Sequence, residues 1–366
     1  MTAASKKHLG YIPALDGVRA VAVFLVILGH VGVPGFPGGG LGVDMFFTLS
    51  GFLITTLLLE EIDGGGRINV WHFYARRLLR LYPALLLMLL LFAAFFHVLS
   101  HALPHLEDLQ YGKDVTLAAL YLTDYAVAFG YENKNSLIAH TWSLAVEEHF
   151  YLIWPWVLPA LARLFRGKKL IAALLVLYGV ATGWRFLCLS FQPWEMVYFR
   201  FDTRLAGLVL GAALAVFRMQ RVKIRWAAEW FAASGLVFLF CVFWMPSMEV
   251  GTCLPTVAEV FTFFLIWQIM EAKDWPVTRW LSAKAPVFFG RISYALYLFH
   301  FPAAALFLRS DTRWWIGFEI TLAIAVALAW FSWNTVEKAG RIKAAGFRPR
   351  GMGSHAPAEK TPKALP

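Results

Sequence analysis

Six stretches of this sequence place ionisable or hydroxyl side chains inside apolar surroundings. In ALDGVRAVAVFLVILGH, Arg19 and His30 stand eleven residues apart. On a helix rising ~1.5 Å per residue that interval is about 16 Å, and eleven steps of ~100° make about three turns. One helical face therefore carries a guanidinium near one end and an imidazole near the other. An imidazole titrates close to neutrality, so His30 suits proton transfer from a hydroxyl. GGGLGVDMFFTLSGFLIT brings Asp44 and Ser50 into a second apolar run. WHFYARRLLRLYP opens a third with Arg76, Arg77 and Arg80. Arg76 and Arg80 are four apart and share a face. Arginine forks bind phosphate oxygens in pairs.

The fourth stretch, HTWSLAVEEHFYLIWPW, holds His140, Trp142, Glu147, Glu148 and His149. Two adjacent carboxylates cannot both face lipid cheaply. Glu147 is four residues from Ser143 and from Tyr151, so it is assigned to the interior. In YFRFDTRLAGLVLGAALA come Asp202 and Arg204, and in FFGRISYALYLFHFP come Arg291, Tyr294, Tyr297 and His300. Each has a plainer reading. Arg19 could snorkel to headgroups. The three cytosolic-side arginines could anchor topology. Glu147 could sit in a structural ion pair, and His300 in a simple interhelical hydrogen bond. Asp44 demands a basic or hydrogen-bonding partner, because an unpaired carboxylate at that depth is expensive.

These residues need helices that span a membrane. The chain has 366 residues, of which 59% are hydrophobic and 15% charged, with 16 Trp and 32 Phe. A soluble domain averages about 25% charged residues. The composition excludes a soluble enzyme, a disordered chain and a nucleic-acid-binding module, despite the net charge of +10. Cys188, Cys241 and Cys253 form neither a disulfide framework nor a metal-ligand spacing, so no metal is expected. Lys6 and Lys7 precede an apolar run without a clear small-residue cleavage site, and no cleavable signal is expected.

A spanning helix takes about 20 apolar residues. Ten segments qualify: 14–33, 41–61, 78–100, 140–163, 169–190, 200–217, 228–246, 254–272, 286–308 and 314–336. An eleventh, 114–130, contains Asp114 and Asp124. With ten spans and a cytoplasmic N-terminus, fifteen Lys and Arg fall in inner loops against five in outer ones. That asymmetry is the mark of correct orientation. Counting 114–130 as a span would throw the later basic loops outside, so it is read as an interfacial or re-entrant outer-face segment. The expected organisation is an all-α polytopic transmembrane helix bundle with both termini cytoplasmic. Residues 1–13 form a cytoplasmic lead, 14–337 the membrane domain with outer segment 101–139, and 338–366 a basic cytoplasmic tail expected to be disordered.

In order along residues 11–337, Arg19…His30, GGGLGVDMFFTLSGFLIT, RRLLRLYP, TWSLAVEEHFYLIWP, FDTRLAGLVLGAALA and ISYALYLFHFP resemble the motifs of the membrane-bound acyltransferase type 3 family. The family's ten-span core agrees with the charge argument. A fused extracytoplasmic hydrolase-like domain, carried by some members, is not expected in this chain. The resemblance implies transfer of an acyl group, often acetyl, from cytosolic acyl-CoA to a hydroxyl of a carbohydrate, glycolipid or small molecule at a bacterial inner membrane. Acyl-CoA is then a co-substrate and not a resident cofactor. The partners are the donor, the acceptor and the bilayer; neither a nucleic acid nor a particular oligomeric state is implied.

The expected catalytic group is His30, Glu147 and Arg19, with Glu147 orienting His30 as the carboxylate of a triad does. Asp44, Ser50, Arg76, Arg77, Arg80, Trp142, Asp202, Arg204, Tyr297 and His300 are expected to bind donor or acceptor. A carrier or flippase for a glycolipid or anionic solute, and a structural subunit without chemistry, are the competing classes.

Overall fold

The computed structural model describes residues 9–65, 67–102, 111–131, 136–245, 253–307 and 313–347. Among these the chain is helical, and it contains no strand. The long helices are α1 (Pro13–Val31), α2 (Leu41–Gly65) and α3 (Val70–Ala102). Two short helices follow, α4 (Tyr111–Ala119) and α5 (Thr123–Ala128). After a 3-10 turn at Ala139–Thr141 come α6 (Trp142–Leu164), α7 (Lys168–Leu189), the short α8 (Trp194–Phe199) and α9 (Phe201–Met219). The second half adds α10 (Ala227–Trp244), α11 (Leu254–Glu271), α12 (Pro276–Leu281), α13 (Lys284–Arg291), α14 (Ser293–Phe307), α15 (Trp314–Ser332) and α16 (Lys338–Ala345).

Seven of these helices, counting α15 with its extension to Ala345, are long and apolar enough to cross a membrane. Helices α6 and α9 have 23 and 19 residues but carry the ionisable groups singled out above. The bundle is layered. Most of α2 is buried (78% of its apolar window), whereas α10 shows only 17%. Leu236 is 72% exposed on α10, Val176 66% on α7 and Leu90 68% on α3. Such an apolar outer belt is costly in water and natural in hydrocarbon. The protein is a helical membrane protein.

Three of the segments take a finer form than their sequences alone indicate. Segment 114–130 does not form one helix: α4 and α5 are separated by a turn in which Tyr121 takes φ 55°, a left-handed conformation that ends a helix. No continuous eleventh crossing forms there. Segment 286–308 is two helices, broken at Ile292. The carbonyl of Ile292 accepts the first hydrogen bond of α14, from Leu296 N (2.9 Å). Residues 338–345 of the tail form α16, which packs on α3; residues 348–366 lie outside the described residues.

Two glycines let α2 and α9, the most closely packed pair, touch backbone to backbone. A Cβ on Gly51 would fall 1.9 Å from the carbonyl oxygen of Leu208, and one on Gly211 would fall 2.0 Å from that of Thr48. Small residues serve this purpose where lipid supplies no hydrophobic drive between helices. Gly51→Val or Gly211→Val must force the helices apart, at about 1–3 kcal/mol or more. A drop in the thermal unfolding midpoint of the purified protein is expected for both, while Gly64→Ala, with open space around it, leaves the midpoint unchanged.

Candidate active site

A polar seam runs through the interior between α1, α3, α6 and α14. Its upper end is built around a proline. Pro302 lies inside α14; it has no N–H, so the carbonyl of Leu298, four residues back, loses its helical donor. His140 Nε2 takes that place at 3.1 Å. The Tyr297 hydroxyl donates to the His140 carbonyl (3.0 Å) and shares a hydrogen bond with Ser143 Oγ (2.6 Å). His300 Nδ1 meets its own helix at the Tyr297 carbonyl (2.6 Å), and His300 Nε2 meets His30 Nδ1 (2.9 Å). Phe301 packs against the rings of both His30 (4.8 Å between centroids) and His140 (4.9 Å). His300 is fully buried and His140 nearly so, while His30 keeps part of its surface accessible.

The middle of the seam belongs to α6 and α2. Tyr151 donates its hydroxyl proton to Glu147 Oε2 (2.9 Å) and is closely hydrogen-bonded to Ser50 Oγ. The face containing Ser143, Glu147 and Tyr151 thus turns inward, as their spacing of four requires. The expected pairing of Glu147 with His30 is not formed: no contact joins them, and His300 holds the ring that Glu147 was expected to orient. The reason is depth. His140 sits at the level of His30, and Glu147 is seven residues, about 10 Å, further along α6. There it feels the charges of Arg77 and Arg19.

The lower end is cationic. The guanidinium of Arg77 lies over the rings of Tyr151 (5.3 Å) and Phe73 (5.7 Å). Arg80 feels the charges of Arg77 and Arg19. Neither Arg77 nor Arg80 forms a salt bridge among the described residues, and Arg80 is exposed. Arg19 is held by Asp16 (2.7 Å), which also accepts from the hydroxyl of Tyr11 (2.8 Å). Arg291 in turn donates to that hydroxyl (3.1 Å). The sequence grouped Arg76 with Arg80, but Arg76 is engaged elsewhere. It pairs with Glu61 (3.0 Å) and donates to the Phe347 carbonyl (2.8 Å), tying α3 to the segment after α16. The open pair is Arg77 with Arg80.

Other expected site residues lie away from the seam. Asp44 has the partner that its burial demands: Arg204, at 2.7 Å, with both side chains almost wholly buried. The same guanidinium stacks over Tyr198 (4.5 Å) and Trp142 (5.5 Å), so Trp142 serves as packing for this pair. Asp202 binds Arg200 Nε (2.9 Å) and accepts from Trp184 Nε1 (2.7 Å) at the periphery. His149 faces the buried carboxylate of Asp124 at 3.2 Å. Sequence reasoning missed Arg185 and Glu259, a closed pair at 3.0 Å between α7 and α11. The signal was available: one lone arginine and one lone glutamate in two otherwise apolar spans must find each other.

Removing half of such a pair strands the other ion. Arg204→Met is expected to cost about 3–5 kcal/mol, read as a large fall in the unfolding midpoint in detergent. Asp44→Asn combined with Arg204→Met recovers much of that loss; equal midpoints for the single and double variants would show that the pair does not govern stability.

Apolar helices thus enclose a histidine network, a carboxylate and two guanidinium groups without salt bridges along one seam of a helical membrane protein. The chain belongs to the acyltransferase family, whose acyltransferase-domain model matches residues 12–334. It is 32% identical over 308 residues to the O-acetyltransferase OatA of Staphylococcus aureus (strain NCTC 8325 / PS 47), covering 80% of this chain and 50% of OatA. It is equally similar to OatA of strain COL. A further protein of strain COL, carried under the provisional name of an O-acetyltransferase, is 30% identical over 369 residues, covering 94% of this chain and 60% of that protein. The chain therefore spans between half and about 60% of the length of these relatives. No solved structure matches it.

Proposed function

We propose that this protein transfers an acyl group, most simply acetyl, from acyl-CoA to a hydroxyl of a carbohydrate, glycolipid or similar acceptor. The observation that carries the reading is the polarity of one seam: open guanidinium groups of Arg77 and Arg80 at one end and the accessible imidazole of His30 at the other. We place the chain in the bacterial inner membrane with ten crossings, α13 and α14 together making one, and with both termini and the basic end of the seam cytoplasmic. The distribution of Lys and Arg among the loops supports that orientation.

A thioester is already activated, so the protein has two tasks. One is to hold the donor, and the other is to remove the acceptor's proton as its oxygen attacks. Arg77 and Arg80 hold donor phosphates, with Arg19 beside them; neither Arg77 nor Arg80 has a salt bridge to give up. His30 takes the hydroxyl proton and returns it to the departing thiolate. Ester and free thiol are the products, and the enzyme is unchanged. Glu147, hydrogen-bonded through Tyr151 to Ser50, stands between the two ends. There it balances the arginine charge when no donor is bound.

Purified protein in nanodiscs with radiolabelled acetyl-CoA and a panel of cell-envelope glycans tests the reading. His30→Ala should lower product formation by about 10²–10⁴-fold at normal protein abundance. Arg77→Gln with Arg80→Gln should raise KM for acetyl-CoA about tenfold or more, with a smaller effect on kcat. Full activity of His30→Ala removes the base. Movement of a glycan across the bilayer without release of CoA would reassign the protein as a carrier.

A further inference from the structure

We infer that His300 is a positioning residue that fixes the tautomer of His30, leaving His30 Nε2 as the atom that accepts the proton. The inference rests on the acyl-transfer reading for its kinetic consequence, but not for its geometry. A backbone carbonyl can only accept a hydrogen bond, so His300 Nδ1, 2.6 Å from the Tyr297 oxygen, carries a hydrogen. A neutral imidazole with hydrogen on Nδ1 has a lone pair on Nε2. That lone pair is 2.9 Å from His30 Nδ1, which must therefore be the donor. By the same rule the remaining nitrogen of His30, Nε2, holds a lone pair. The direction of the whole chain is set by one carbonyl oxygen.

The surroundings keep it so. His300 is fully buried, and its two ring nitrogens have both found partners, so its ring has no alternative bonding to turn towards. Phe301, next to it, packs on the ring of His30. Pro302 occupies the third consecutive position: it surrenders the Leu298 carbonyl to His140, which sits at 5.6 Å from His300 and closes the far side. The order His300, Phe301, Pro302 thus supplies the hydrogen-bond acceptor, the ring wall and the backbone opening from one helical turn.

In the reaction, the O–H bond of the acceptor breaks as its proton moves to His30 Nε2. The oxygen bonds to the thioester carbonyl carbon, the C–S bond breaks, and the thiolate recovers the proton from Nε2. His30 is an imidazolium between these events, and its Nδ1–H then bonds more strongly to His300 Nε2. A neutral imidazole here does what a carboxylate does in a serine-hydrolase triad: it holds the base in its working tautomer, a role whose loss there costs about 10⁴-fold in kcat.

Selective ¹⁵N-histidine labelling of the full chain in nanodiscs, with the His30 signals assigned by their loss in His30→Ala, reads the tautomer directly from two-bond couplings to the ring hydrogens. Nε2 of His30 is expected to be the unprotonated nitrogen; a proton found on Nε2 overturns the proposal, whether or not any variant folds. His300→Phe should lower kcat for acetyl transfer by about 10²–10⁴-fold with KM for acetyl-CoA within about threefold. His300→Gln, whose side-chain oxygen reaches the place of Nε2, should recover at least tenfold of that loss. Wild-type kcat in His300→Phe, or His300→Gln no better than His300→Phe, sinks the positioning role while leaving His30 as the base. Undiminished activity of His30→Ala instead removes His30 as the base and leaves the NMR result to decide the tautomer, whereas absence of acetyl transfer by the unaltered protein sinks the acyl-transfer reading.

Discussion

An ion inside an apolar bundle must be compensated there, because bulk water is out of reach. That constraint sorts the charged residues of this protein into two sets. Asp44 with Arg204 and Arg185 with Glu259 are closed pairs, each nearly free of solvent. They pin α2 to α9 and α7 to α11. Their electrostatic capacity is used up, and they act as fasteners. Arg77 and Arg80 are the second set, with aromatic faces beside Arg77 and no carboxylate in salt-bridge contact with either. A cation held in a membrane domain without a salt bridge is costly to keep, and on the proposed reading that cost has a use.

The imidazole end solves a related problem with hydrogen bonds. Backbone carbonyls in a spanning helix are ordinarily consumed by the helix itself. One proline in α14 releases a carbonyl, and the adjacent turn directs a second one at a side chain. Two histidines are thereby anchored to main chain, which is stiffer than any side-chain partner. The third, His30, comes at the last turn of α1 and meets this framework from another helix. Close packing of α1 against α13 and α14 is what brings it there.

The sequence made the helices legible because hydropathy alone defines them. All ten apolar segments correspond to helices, although one divides at Ile292. The division was hidden because no proline marks Arg291, Ile292 and Ser293, and aromatic and aliphatic residues flank them on both sides. The turn in 114–130 was foreshadowed by its two aspartates and by charge asymmetry. Asp44's need for a basic or hydrogen-bonding partner was legible from burial cost, but not that Arg204 would meet it. Intervals of four placed Ser143, Glu147 and Tyr151 on one face correctly. The same logic grouped Arg76 with Arg80 and failed, since Glu61 and the Phe347 carbonyl, both remote in sequence, draw Arg76 away. Convergence of His30, His140 and His300 depends on how three segments pack, and no single segment encodes it. Pro302 was the local clue: a proline four residues after Leu298 announces an unclaimed carbonyl, and the buried polar group that claims it must be close by.

The eleven-residue interval on α1 has a metrical meaning. Arg19 is near enough to Arg80 to act on it electrostatically, and His30 stands about 16 Å along the helix from Arg19. A molecule anchored by its phosphates at the lower mark can offer its reactive carbon at the upper mark only if a slender tether of comparable length joins the two. Compact acyl phosphates fall short of that span, whereas thioesters on an extended pantetheine arm bridge it. On the proposed reading, helix α1 would thus act as a gauge of the reach asked of a donor.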